Sequence, residues 1–155
     1  MHEKFMREAI ALAVENARNL WGGPFGAIVV KDAQVIARGA NRVTATNDPT
    51  AHAEIVAIRA ACQALRSFHL EGCEVYSSCE PCPMCLSAMY WAKVQGYYYG
   101  NSRFEAAEVG FDDSLIYHEV AKPPEERLIR GSRLLAEEAA EAFAEWRRSA
   151  SRVPY

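Results

Sequence analysis

The chain has 155 residues, half of them hydrophobic and 24% charged, enough for one domain with a core that needs no disulfides. A formal net charge of −3 without a dominant basic patch speaks against a protein that grips phosphate backbones. No apolar run approaches the roughly 20 residues of a membrane span, and five cysteines, an odd number, fit a reducing, cytoplasmic setting.

The N-terminal stretch MHEKFMREAIALAVENARNL carries acids and bases throughout, unlike the apolar segment of a signal peptide. From Glu3 to Leu20 apolar residues recur at helical spacing, with Phe5, Ala9, Leu12 and Ala13 on one stripe. WGGPFG breaks that helix. AIVV and VIARGANRV then read as two strands joined by a turn at Lys31 to Gln34. A second helix is expected from about Pro49 to Leu65, with Asp48 as its N-cap and Pro49 in its first turn.

CEVYSS reads as a third strand, CPMCLSAMYWA as a third helix and GYYYG as a fourth strand. The order suggests a sheet covered by helices, with a hairpin first and crossovers after it. FDDSLIYHEV looks helical, KPPEER interrupts the chain, and RLIRGSRLL is ambiguous, with a short strand as one reading. AEEAAEAFAEWRRSA is expected to be a helix burying Leu135, Ala139, Phe143 and Trp146 on one side, with Arg147, Arg148 and Arg152 as cations near its end.

His52 and Glu54 fall in or near the first turn of the second helix, an unusual place for an imidazole and a carboxylate two residues apart. Residues two apart on a helix diverge by about 200°. At a helix start, however, both can flank a pocket lying off the helix end. Cys82 and Cys85 are three apart at the start of the third helix, so one metal ion can be held by both. A helix N-terminus favours their thiolates, and His52 supplies a third ligand.

Three protein ligands leave a tetrahedral zinc ion one open corner, which is the catalytic arrangement rather than the structural one. Glu54, close to a ligand but off the metal, would take the proton of a bound water. Two other readings stay open. Cys79 or Cys73 could complete a closed four-ligand site, or Cys82 and Cys85 could form a redox pair.

HAE followed by PCPMC matches the H-x-E…P-C-x-x-C signature of zinc-dependent nucleobase deaminases. With GGPFGAIVVKD, NRVTATNDPTAHAEIVAIRAAC, SSCEPCPMCLSAMYWAKV and EVGFDDSLIYHEV, the chain resembles bacterial guanine deaminases of the cytidine-deaminase-like superfamily over most of its length. The resemblance implies an α/β fold, three-layer α/β/α, with a mixed five-stranded sheet in a single domain over residues 1–155. It implies hydrolysis of guanine to xanthine and ammonia by a zinc-held hydroxide. One zinc per subunit would sit on His52, Cys82 and Cys85, and Glu54 would shuttle the proton.

It further implies that Phe25, Asn41 and Ala53 contact the base and that Asp113 handles the amine or its leaving proton. In a homodimer, residues from about 126 to 155 would be a swapped arm placing Tyr155 over the base, with AKPPEER as its hinge. Plainer roles compete for several of these. Asn41 can cap a turn, Phe25 can be core, and Asp112 or Asp113 can cap a helix. Glu80 suits a helix N-terminus, and Trp91 with Tyr97 to Tyr99 reads as strand and core rather than a stacking platform. The alternative activities are adenosine deamination in transfer RNA, cytosine deamination, or a zinc-stabilised module without catalysis. Neither nucleic acid nor membrane is an expected partner.

Overall fold

The computed structural model describes residues 1–155. Contacts divide the chain into two compact units, Met1–Asp113 and Ser114–Tyr155.

The first unit opens with α1, His2–Arg18, whose buried stripe of Phe5, Ala9, Ala13 and Asn16 follows the helical period. Strands β1, Gly26–Lys31, and β2, Gln34–Ala40, form an antiparallel hairpin. Its two-residue turn, Asp32–Ala33, has positive φ at both positions, the twist that a tight hairpin requires. β3, Cys73–Cys79, pairs antiparallel with β1, and β4, Gly96–Asn101, pairs parallel with β3. The sheet order is β2-β1-β3-β4.

Period-two alternation then sorts the side chains to two faces. Ile28, Val30 and Tyr76 meet Phe5 and Ala9 of α1 on one face. Ala27, Val29, Ala37 and Val75 meet the helices α3, Ala53–Leu65, and α4, Pro83–Trp91, on the other. The expected three-layer α/β/α arrangement is therefore present in this unit.

Gly39 sets how closely α3 approaches the sheet. A β-carbon there would lie 2.2 Å from the carbonyl oxygen of Ala53, so the first turn of α3 rests directly on the β2 backbone. Two short helices were not legible in the sequence. α2, Val43–Thr46, replaces the expected end of the second strand, because the Asn41 Oδ1 accepts the Val43 amide and turns the chain. α5, Arg103–Glu108, follows β4 and starts at a reciprocal capping box of Ser102 and Glu105.

The expected fifth strand does not form; the sheet has four. Residues 127–135 run irregularly, with arginines interleaved among Leu128, Ile129 and Gly131 in no strict alternation. Local partners take their backbone groups instead: the Glu119 carboxylate accepts the Leu128 amide at 2.6 Å, and the Pro124 carbonyl accepts that of Gly131 at 2.9 Å. β4 remains an edge strand, and Tyr97, Tyr98 and Tyr99 on it are partly exposed rather than core.

The second unit comprises α6, Ser114–Val120, a 3₁₀ turn at Pro124–Glu126, and α7, Ala136–Arg148. α7 forms where the sequence placed it, but its apolar face is not buried. Leu135 is 70% exposed, Phe143 72% and Trp146 45%. A segment of roughly forty residues cannot enclose such a face by itself. No helix of the structure is long and apolar enough to cross a membrane.

Candidate metal centre and active site

His52 and Cys82 are both helix N-caps. His52 has φ −66° and ψ 156° before α3, and its carbonyl accepts the Val56 amide at 2.9 Å. Cys82 has φ −65° and ψ 168° before α4, with Pro83 as the first helical residue and its carbonyl accepting from Leu86 at 2.9 Å. Neither side chain caps its own helix, so both project off the helix ends. Helix α3 thus begins four residues later than Pro49. Asp48 is no N-cap: it accepts the Thr50 amide and hydroxyl and faces Arg59, bracing the turn that delivers His52.

The two helix starts converge. The Nδ1 of His52 lies 3.5 Å from Sγ of Cys82 and 3.5 Å from Sγ of Cys85. All three donor atoms lie within 4.8 Å of one another. A tetrahedral zinc with Zn–S of about 2.3 Å and Zn–N of about 2.0–2.1 Å sets nitrogen and sulfur roughly 3.5 Å apart. The donor set and its spacing fit one zinc ion. The positive ends of two helices meet here as well, which favours thiolates.

The three donors are electrostatically coupled to one another. The thiol of Cys85 beside it draws Cys82 down to about 4, with His52 adding to the effect against burial. Cys85 is raised because it keeps the proton of the pair and is buried. His52 is raised, first by its hydrogen bond with Cys82. Cys79, the alternative fourth ligand, stands outside the group. Its thiol donates to the Ser102 carbonyl at 3.7 Å, and burial pushes it up to about 11. Cys73 lies in the core between sheet and helices. The closed four-ligand reading therefore fails.

Glu54, on the first turn of α3, is 6% exposed. One carboxylate oxygen accepts from Ser77 Oγ at 3.3 Å and the other faces Cys85 Sγ at 3.5 Å. Burial raises its pKa, which suits a group that must hold a proton during a reaction. It is adjacent to the three donors but not one of them.

Residues 1–101 match the family model for the cytidine and deoxycytidylate deaminase zinc-binding region. The chain belongs to this deaminase family. Guanine deaminase of Bacillus subtilis (strain 168) is 49% identical over 154 residues, covering 99% of each chain. The X-ray structure of guanine deaminase from that organism superposes with a TM-score of 0.97 over 100% of this chain and 99% of that one. A structure from work on A-to-I editing by tRNA:A34 deaminases gives a TM-score of 0.63 at 28% identity, over 99% of this chain and 94% of that one.

The remaining residues singled out in the sequence of this deaminase fall in several places. Asn41 is buried at the end of β2; its Oδ1 accepts from the Gly23 amide at 3.1 Å and from Val43 at 3.2 Å, so it does brace turns. Phe25 is partly buried and meets Phe111 edge-on at 4.8 Å. Ala53, fully buried, is the first residue of α3. Asp113 closes the first unit, raised by burial and by the charge of Cys82. Tyr155 belongs to the second unit and is exposed. Ser77 went unnoticed in the sequence; the signal is a polar residue two after Val75, on the strand face that meets α3.

Proposed function

We propose that this deaminase hydrolyses guanine to xanthine and ammonia, one zinc ion per subunit serving the reaction. The observation that carries the reading is a buried, unligated carboxylate, Glu54, beside a His52–Cys82–Cys85 set with a tetrahedral edge length. Full-length likeness to a guanine deaminase supports the substrate. Zinc held there supplies Lewis acidity, making water a better nucleophile and stabilising negative charge.

The chain's own residues do the rest. Glu54 moves one proton from the attacking water to the ring nitrogen, then a second from the newly added hydroxyl to the amine, which departs as ammonia as the carbonyl forms. Ser77 holds one Glu54 oxygen, and the other, facing Cys85, is the one that moves the proton. Asp113, less exposed to water than a surface acid and raised in pKa, takes part at the amine.

Phe25 and Ala53 bound the base. Because the Asn41 Oδ1 is occupied by two backbone amides, its Nδ2 is the group that addresses a ligand. A donor in that place suits the O6 and N7 acceptors of guanine. The same edge of adenine presents an amine donor at position 6. A site of fixed hydrogen-bonding polarity can discriminate by about 10⁴–10⁵. Ammonia release from guanine, cytosine and adenosine, before and after chelation, tests the reading. Guanine is the expected substrate, with activity lost on chelation; release only from adenosine or cytosine moves the chain to another branch.

In the same reading the working form is a homodimer in the cytoplasm, where the five free cysteines stay reduced. Residues from about 126 to 155 cross to the partner and bring Tyr155 over its base. The uncovered apolar face of α7 supports this, since it needs a surface to rest on. Deleting residues 153–155 is expected to raise KM for guanine or slow turnover severalfold with zinc content unchanged. Full activity after that deletion would take the tail out of the site.

A further inference from the structure

Asn16 is a polar residue on the buried stripe of α1, 1% exposed, and nothing in the chemistry above uses it. Its Nδ2 donates to the carbonyl of Gly23 at 2.8 Å and to the carbonyl of Asn41 at 3.0 Å. Both neighbours are carbonyls, so the orientation of the amide is fixed by its partners. Its Oδ1 is buried without a hydrogen-bond partner. An orphaned buried acceptor is destabilising, so the position is poorly explained as packing alone.

The two carbonyls belong to segments that carry the base contacts. Gly23 lies in the loop leading to Phe25, and Asn41 follows β2. Further bonds lock them together: Gly23 amide to Asn41 Oδ1 at 3.1 Å, and Asn41 amide to the Phe25 carbonyl at 3.0 Å. The Trp21 amide donates to the Asn16 carbonyl at 3.2 Å, fastening the start of the loop to the helix end. Gly22 packs so closely that a β-carbon would sit 2.2 Å from the Asn41 carbonyl oxygen. Beyond Asn41, the Arg42 amide donates to the Ala51 carbonyl at 2.9 Å, directly before His52. Asn16 is where α1, the loop and the strand end are joined.

We infer that Asn16 is a positioning residue for base recognition: its two amide hydrogens hold the Asn41 and Gly23 backbones so that Asn41 Nδ2 meets the purine in register. The inference rests on the proposed role of Asn41 as a base contact. It acts on substrate binding and not on proton transfer, because Glu54 hangs from a different element, α3, and is held by Ser77. Loss of both hydrogen bonds is worth about tenfold in KM.

The test is a double-mutant cycle on guanine hydrolysis by the zinc-loaded protein, with wild type, Asn16→Ala, Asn41→Ala and the double variant. Asn16→Ala is expected to raise KM about tenfold, with kcat within about threefold and zinc content unchanged. In the Asn41→Ala background it should add less than about twofold. Should Asn16→Ala not fold, Asn16→Ser runs the same cycle; its single hydroxyl donor should give an intermediate KM that is likewise lost in the Asn41→Ala background. If Asn41→Ala raises KM but the Asn16 variant is silent, additive, or lowers kcat alone, the inference fails and the Asn41 contact stands. If Asn41→Ala leaves KM unchanged, the contact itself fails and takes the inference with it.

Discussion

Glu54→Gln is expected to lower kcat by about 10²–10⁴ while zinc stays bound at one per chain. The substitution keeps the size and the planar head of the side chain, so the 3.3 Å contact with Ser77 Oγ survives. It also removes no metal donor, because the three donors are His52, Cys82 and Cys85. What it removes is the basic oxygen. An amide cannot take the proton of water, and nothing else ionisable on the first turn of α3 replaces it. KM should move little, since the base is held by other residues. Steady-state kinetics with metal analysis on the same samples decide the point. Near-normal turnover in a zinc-loaded Glu54→Gln protein would remove the general-base role altogether.

The chemistry was more legible in the sequence than the geometry that serves it. His52, Cys82 and Cys85 declared themselves because a reduced C-x-x-C at a helix start and an isolated histidine have few shared explanations. The structure adds how they meet: both helices begin on the ligand itself. Sequence reading put the start of α3 four residues early because Asp48 and Pro49 carry strong helix-entry signals. The Asp48 carboxylate is instead used by Thr50 and Arg59, which tertiary context decided.

Strand β1 was readable from its apolar run, as expected for a strand buried on both faces. The fifth strand was not a property of local sequence. Leu128, Ile129 and Leu134 provide apolar residues, but without alternation and with local hydrogen-bond partners they form no ladder. The face of α7 was likewise readable as amphipathic, whereas what covers it is not written in one chain. Asn16 and Ser77 escaped because a single polar residue on a core-facing stripe looks like noise until its partners are seen.

Loss of the metal should affect folding as well as turnover. Cys85 is fully buried at the third residue of α4, beside His52 and Glu54. Zinc held by the folded chain and not by the unfolded one stabilises the fold by about 2.7–4.1 kcal/mol at 100 to 1,000 times its dissociation constant. For a chain of this size that corresponds to roughly 5–15 °C in Tm. Wild-type protein is therefore expected to lose activity and drop in Tm on chelation, and to regain both when zinc is restored. Cys85→Ser should start at the lower Tm, carry less than stoichiometric zinc, and respond to neither chelator nor metal. The serine hydroxyl is a poor substitute for a thiolate on zinc, and no other cysteine can take its place, since Cys79 points to Ser102 and Cys73 lies in the core. A Cys85→Ser protein that kept one zinc per chain and its metal-dependent Tm would mean that the ion is held elsewhere.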